Sequence, residues 1–281
     1  MLDTLQLDAL YTRLNRREYV HPDPLECLYP YPDLHDREIV GLVASSLAYG
    51  RVAQILKSVS RVLGRMPQPF RFLMGASRAS LDALYADFRH RFTTGEDLAA
   101  LLYGARKAIE RYGSLNACFR SGLRNEHETV LPALESFIRE LSIQDTGRCN
   151  TLLPSPDKGS ACKRMNLFLR WMVRRDDVDP GGWEGVPPAK LLVPLDTHLY
   201  RIGCALHFTT RRQADMKTVL DITCAFRAIC PEDPVRYDFS LTRLGMRMKQ
   251  GEDPSQYLSE CLTQSSPSKS DLAIHRESLK P

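Results

Sequence analysis

The stretch that decides the fold is KGSACKRMNLFLRWMVRR, residues 158–175, followed after a proline- and glycine-rich connection by LLVPLDTHLYRIG, residues 191–203. In the first segment Met165, Phe168, Leu169, Met172 and Val173 recur at spacings of three and four, one face of an amphipathic helix. In the second, Val193, Pro194 and Leu195 read as an extended approach and Asp196 as an N-cap. Leu199, Ile202, Gly203 and Leu206 then form the apolar face of the next helix. Lys163 is thereby placed in the first turn of one helix and Asp196 at the mouth of another.

Outward from this pair, nearly every periodic segment reads as helix. Between Asp36 and Met66 the residues Val52, Ile55, Leu56, Val59, Val62, Leu63 and Met66 keep helical spacing. Asp97 to Tyr112 repeats the pattern and stops at Gly113. Val130 to Leu141 is amphipathic, and Asp215 to Cys230 is closed by Pro231 and Pro234. No strand pair stands out, so the expected fold class is all-α. Proline- and glycine-rich connections are expected at residues 21–32, 67–76, 145–159 and 179–188. The domain expected is a single two-lobed helical unit over residues 1–263, its N-terminal helices returning to pack beside the C-terminal ones. The helices that carry Lys163 and Asp196, with the segment before them, occupy about 154–208, and the polar residues 264–281 are expected to form a disordered tail.

Composition narrows the class. The chain has 281 residues, 43% hydrophobic and 26% charged, enough for one large or two small cores. A formal charge of +4 is compatible with a polyanionic partner only if the basic residues cluster. No apolar run approaches the roughly 20 residues that span a bilayer. The opening MLDTLQLDALYTRLNRREYV is acidic early and amphipathic, unlike a secretory signal, so a cytoplasmic location without membrane association is expected. The cysteines, Cys27, Cys118, Cys149, Cys162, Cys204, Cys224, Cys230 and Cys261, contain no C-x-x-C pair and no cluster of four. That spacing predicts reduced, largely core-filling thiols, with no bound metal and no iron–sulfur cluster.

The lysine and the aspartate carry the chemistry. An amine in the first turn feels the positive end of the helix dipole, which disfavours its charged form, and a neutral amine can attack an electrophilic sugar carbon. Lys158, in the preceding loop, is the rival for that role. A carboxylate at position 196 suits a plain cap. It also suits stabilisation of the positive charge that develops at an anomeric carbon. His198 and Arg201 share its helix and read as structural or phosphate-facing.

GSACKRMNLFLRWM followed by VPLDTHLYRIG resembles the helix-hairpin-helix DNA glycosylases, the superfamily of endonuclease III and the 8-oxoguanine glycosylases. The resemblance implies a two-lobed helical fold with damaged DNA bound across the cleft. It makes Lys163 the nucleophile and Asp196 the indispensable carboxylate. Gly159, Ser160 and Ala161 become the phosphate-holding hairpin, assisted by Lys158 and Arg164. Ala161 stands where that family has its second hairpin glycine, and the connection over residues 176–190 is longer than the family's usual one. The cysteine loop of endonuclease III is missing, and no cofactor is implied. Tyr49, before Gly50, falls where the family places its DNA-inserting loop. Trp171, Trp183 and Phe239 are candidate stacking residues, and Asp233 and Asp238 are candidate acidic lining of the base pocket. The implied partner is double-stranded DNA carrying a damaged base, an oxidised purine favoured, bound by a nucleoid-associated monomer. The whole chain also resembles a smaller bacterial family sharing FLRWMVR, PLD-x-H and PEDPVRYDF.

Two other classes fit parts of the sequence. One is a helix-hairpin-helix protein that grips a DNA or RNA backbone without chemistry. The other is an all-α HD-type metal phosphohydrolase built on His35-Asp36 with His21 and His90. Asp36 is equally suited to cap the helix that follows it.

Overall fold

Six helices in this protein start where a side chain satisfies a first free amide, with Asp33, Ser77, Thr94, Ser114, Asp196 and Asp215 as the caps. A computed structural model describes residues 4–142, 150–248, 252 and 254–263. Within them thirteen α-helices carry the fold, which is all-α. α1 (Thr4–Leu14) is followed by a 3₁₀ turn over Pro24–Leu28, then α2 (Leu34–Ser46) and α3 (Val52–Leu63). The apolar pattern between Asp36 and Met66 is thus two helices. They are broken at Gly50, whose φ of +101° favours a residue without Cβ. The N-cap of α2 is Asp33, which accepts from the Asp36 amide at 3.0 Å. Asp36 instead reaches across to accept from Phe70 N at 2.8 Å.

That contact tethers α4 (Pro69–Gly75), a helix where the sequence suggests only a connection. Its proline occupies the first turn, where no amide partner is needed. α5 (Arg78–Tyr85) leads to the only sheet among the described residues, a hairpin of β1 (Arg89–His90) and β2 (Thr93–Thr94). Thr94 and Asp97 then form a reciprocal capping box for α6 (Gly95–Tyr112), which ends at left-handed Gly113. α7 (Leu115–Ser121), α8 (Leu131–Ser142), α9 (Lys163–Val173), α10 (Thr197–Ala205), α11 (Met216–Ile229), α12 (Asp238–Arg247) and α13 (Pro254–Thr263) complete the chain.

α2 to α8 pack among themselves, while α1 packs on α12 and α13 and α10 joins both. α9 lies against α2 and ties to α12 through Arg170 and Asp238. One continuous apolar core runs from Leu7 to Leu258 through both groups. Phe119, Phe137, Phe168 and Trp183 cluster within it, mostly edge to face, with ring centroids 5.2–6.3 Å apart. Among the described residues no helix is long and apolar enough to cross a membrane. The expected tail, 264–281, and Cys149 lie outside the described residues.

Candidate active site

α9 starts at Lys163 because Cys162, at φ +47°, turns the chain into the helix. Cys162 contributes no side-chain cap, so the first amides of α9 are left without one. α10 starts under Asp196, whose Oδ1 accepts from His198 N at 2.9 Å and Leu199 N at 2.8 Å. The other carboxylate oxygen, Oδ2, lies 3.9 Å from Lys163 Nζ. Capping and pairing with the amine therefore use different oxygens of one side chain.

The pair sits on the wall of a cavity of about 310 Å³ where the two helix groups meet. Ala48, Tyr49, Gly50 and Val52 form one lip, and the turn from Pro22 to Leu25 forms another. α9 contributes Lys163, Leu167 and Arg170, one stripe at i, i+4 and i+7. α12 contributes Phe239, Thr242, Arg243 and Met246, again at helical spacing, with Asp238 beside them. Arg243 is fixed by Asp23 Oδ2 and Val20 O, both at 2.9 Å.

Behind the wall lies a buried charge network. Arg170 pairs with Asp238 and Asp179, and Arg174 pairs with Asp176, Asp179 and Asp233. Four aspartates share two arginines, so negative charge is in excess. Burial pushes Asp238 up to about 6, opposed by Arg170 and assisted by Asp196 and Asp179. Burial likewise raises the Asp179 carboxyl.

The structure brings together Lys163, Asp196, Tyr49, Trp171, Asp238 and Phe239 around one cavity. It corrects several other expectations. Arg164 does not present a free cation, because its guanidinium donates to Ser46 O at 2.9 Å and Thr151 O at 2.7 Å. It also lies 5.1 Å over the Tyr49 ring. Trp183 is in the core, donating from Nε1 to the buried Glu38 at 2.8 Å, and lines no part of the cavity. Asp233 is spent on Arg174 and also lies outside it. Tyr49 is at the lip but is tied down: its hydroxyl donates to His90 O at 2.8 Å, with Thr93 Oγ1 2.6 Å away. A tyrosine held this way is not a free wedge.

Gly159 is exposed and left-handed, at φ +74°, after a single 3₁₀ turn over Pro156–Lys158. Its carbonyl accepts from Met216 N at 3.2 Å, and Ser160 bridges to Asp215. Ser160 Oγ accepts from Cys162 N at 3.2 Å, and Ala161 O from Asn166 Nδ2 at 3.3 Å. The segment is thus wired to α9 and α11, with Lys158 exposed beside it. His198 and Arg201 lie on α10 outside the cavity lining.

The histidines named for metal binding do not converge. His21 faces Glu26 at 2.8 Å, His35 stacks on Phe70 at 4.7 Å, and His90 is buried between Ser58 and Tyr49. Among the described residues no three His, Cys, Asp or Glu side chains could hold a metal ion. Sequence reasoning missed Arg170, Arg243 and Asp23. The signal for Arg170 was present: a charge inside the apolar run FLRWMV on the stripe that also carries Lys163.

These features define an all-α protein with an amine–carboxylate pair at a cavity between two helix groups. The family model described as Protein of unknown function (DUF2400) matches residues 23–247, and the chain belongs to that family. No curated protein and no solved structure matches it.

Proposed function

We propose that this protein is a DNA base-excision glycosylase with associated lyase activity, acting on a flipped damaged nucleotide. The observation that carries this reading is the 3.9 Å Lys163–Asp196 pair on the wall of a cavity of about 310 Å³. That volume is at the small end of the roughly 300–1,000 Å³ typical of ligand pockets, suited to one base and its sugar rather than to a longer substrate. The cavity offers an apolar face, Leu167 and Phe239, and a polar edge, Asp238 and Thr242. Stacking faces plus edge hydrogen bonds are what hold an extruded base. An oxidised purine is the first substrate to test.

In the proposed reaction the unprotonated Lys163 amine attacks C1′. The N–C bond forms as the glycosidic bond breaks, and the bonding pair leaves with the base, which takes up a proton. Asp196 Oδ2 stabilises the positive charge developing at the sugar and accepts a proton from the lysine nitrogen. The sugar ring then opens: the nitrogen lone pair closes C1′=N as the C1′–O4′ bond breaks, its electron pair goes to O4′, and O4′ takes up the second amine proton, leaving an imine.

Borohydride trapping on duplexes that each carry one defined lesion tests this. Wild type should form a covalent adduct and Lys163→Gln none, while duplex affinity stays within about threefold because one amine is a small part of the electrostatic footprint. Duplex binding without trapping or base release on any lesion would favour the non-catalytic alternative. Trapping that persists in Lys163→Gln would move the nucleophile to another amine.

A further inference from the structure

Among the described residues only three large apolar side chains are strongly exposed; one of them lines the cavity, and another follows a residue that packs on the cavity's lip. Met246, 49% exposed, lines the cavity from α12. Phe92, 77% exposed, stands at the tip of the β1–β2 hairpin. Its neighbour Arg91 packs across the lip so closely that a Cβ on Gly50 would come within 2.9 Å of the arginine side chain.

The hairpin is firm at its base and bare at its tip. His90 pairs with Thr93, and both are buried. The His90 ring lies 2.9 Å from Ser58 Oγ and 3.0 Å from Tyr49 O, while Tyr49 holds the two strands through its hydroxyl. Thr93 Oγ1 also meets Thr151 Oγ1 at 3.1 Å. The turn itself is only Arg91 and Phe92, with Arg91 at φ +53°, a conformation a glycine would adopt without strain. Arg51, Arg89 and Arg91 are exposed around this tip, and among the described residues none of them is in an ion pair.

We infer that the Arg89–Thr94 hairpin is a DNA wedge: Phe92 enters the base stack beside the nucleotide taken into the cavity, and Arg89 and Arg91 meet the flanking phosphates. The DNA occupant rests on the glycosylase reading; the wedge geometry is independent of Lys163. An aromatic face stacks on any base, and apolar wedges between base steps are a recurrent way to open a duplex. Arginines without internal carboxylates favour a polyanion over a neutral protein surface. A rigid tip loses little freedom on insertion. Tyr49, where the sequence placed the inserting residue, serves as the foundation and Phe92 as the blade.

The test uses the full chain and a duplex with 2-aminopurine next to a stable abasic analogue, so that no chemistry is required. Wild type should raise the 2-aminopurine emission on binding. Phe92→Ala should lose that rise and bind about tenfold or more weakly. Phe92→Trp should restore both, its own emission quenched by stacking. Because Phe92 is exposed, Phe92→Ala should melt with wild type. If Phe92→Ala matches wild type in emission and affinity, the wedge is refuted, and trapping through Lys163 still decides the glycosylase reading by itself. A wedge signal in a protein that traps no lesion would uphold this inference and sink the catalytic one. A wild type that binds no duplex would refute both.

Discussion

Asp196 can be asked to separate its two duties, because they fall on different oxygens. In Asp196→Ala the acceptor for His198 N and Leu199 N disappears. Loss of such a cap removes about 0.5–2 kcal/mol. At about 2–4 °C per kcal/mol for a chain of this size, the melting temperature should fall by about 1–8 °C. Asp196→Asn keeps an oxygen where Oδ1 caps the helix, and Asn caps as well as Asp. What it removes is the charge facing Lys163 at 3.9 Å and the charge at the helix N-terminus. Those are worth about 0–1 and 0.3–1 kcal/mol to stability, a fall of about 1–8 °C that Asp196→Ala suffers as well, in addition to its lost cap. The effect on chemistry should be much larger. Removing a preorganised group from a developing charge typically lowers the rate about 10²–10³-fold. Single-turnover excision well below the melting temperature, beside thermal unfolding, reads both quantities. An Asn variant that excises within tenfold of wild type would take Asp196 out of the chemistry. An Asn variant as unstable as the Ala one would mean that the cap does not depend on the retained oxygen.

Other outcomes follow from the same contacts. Trp183→Phe leaves Glu38 with two backbone donors, Leu115 N at 3.1 Å and Asn116 N at 2.8 Å, and should lower stability by about 1–3 kcal/mol in urea unfolding. Excision should be unchanged; a stable but inactive variant would return Trp183 to the base pocket. Arg164→Gln should destabilise the fold without altering the salt dependence of duplex binding. A log–log slope smaller by about 0.9 would make Arg164 a phosphate ligand after all. Asp238 titrates at about 6 in the folded protein against an ordinary 3.8, so its contribution to stability is present below about 3.8 and lost as pH rises through about 6. That difference corresponds to about 3 kcal/mol. Burial lowers His90, which works the opposite way, weakening the fold as pH falls below its ordinary value of about 6.5. Relative to Asp238→Asn, wild type should therefore gain stability between pH 7.5 and pH 5, and a pH-independent difference between the two would refute the assignment.

What the sequence made legible is what local chemistry writes. Apolar spacing locates α9 and, with the cap residue Asp196, α10, which is enough to put Lys163 and Asp196 at two helix mouths. Gly50 marks the break that makes the lip. The two-residue strands of the hairpin carry no alternation to read, and Pro69 looks like a loop residue because a proline at a helix start gives the same signal as a proline in a connection. Asp33 and Asp36 are both plausible caps by type, and only the distant Phe70 amide assigns Asp36 elsewhere. What Arg164 and Trp183 touch was illegible for the same reason. Their partners, Ser46 O and Glu38, lie 118 and 145 residues earlier, a distance over which no periodicity carries information.

Two of the cavity's carboxylates illustrate how environment divides like residues. Asp196 receives two backbone amides at a helix N-terminus and keeps one oxygen toward Lys163. Asp238 is buried, shares Arg170 with Asp179, and is pushed toward its neutral form by burial first and then by the neighbouring Asp196 and Asp179. Raised to about 6, the Asp238 carboxyl takes up and releases a proton close to neutral pH, while Asp196 Oδ2 faces the lysine amine. In the proposed reaction this assigns the lysine- and sugar-facing role to Asp196 and a base-facing, proton-exchanging role to Asp238. Arg170 keeps the two apart: its guanidinium anchors Asp238 to α9, about two helical turns beyond the lysine that Asp196 faces.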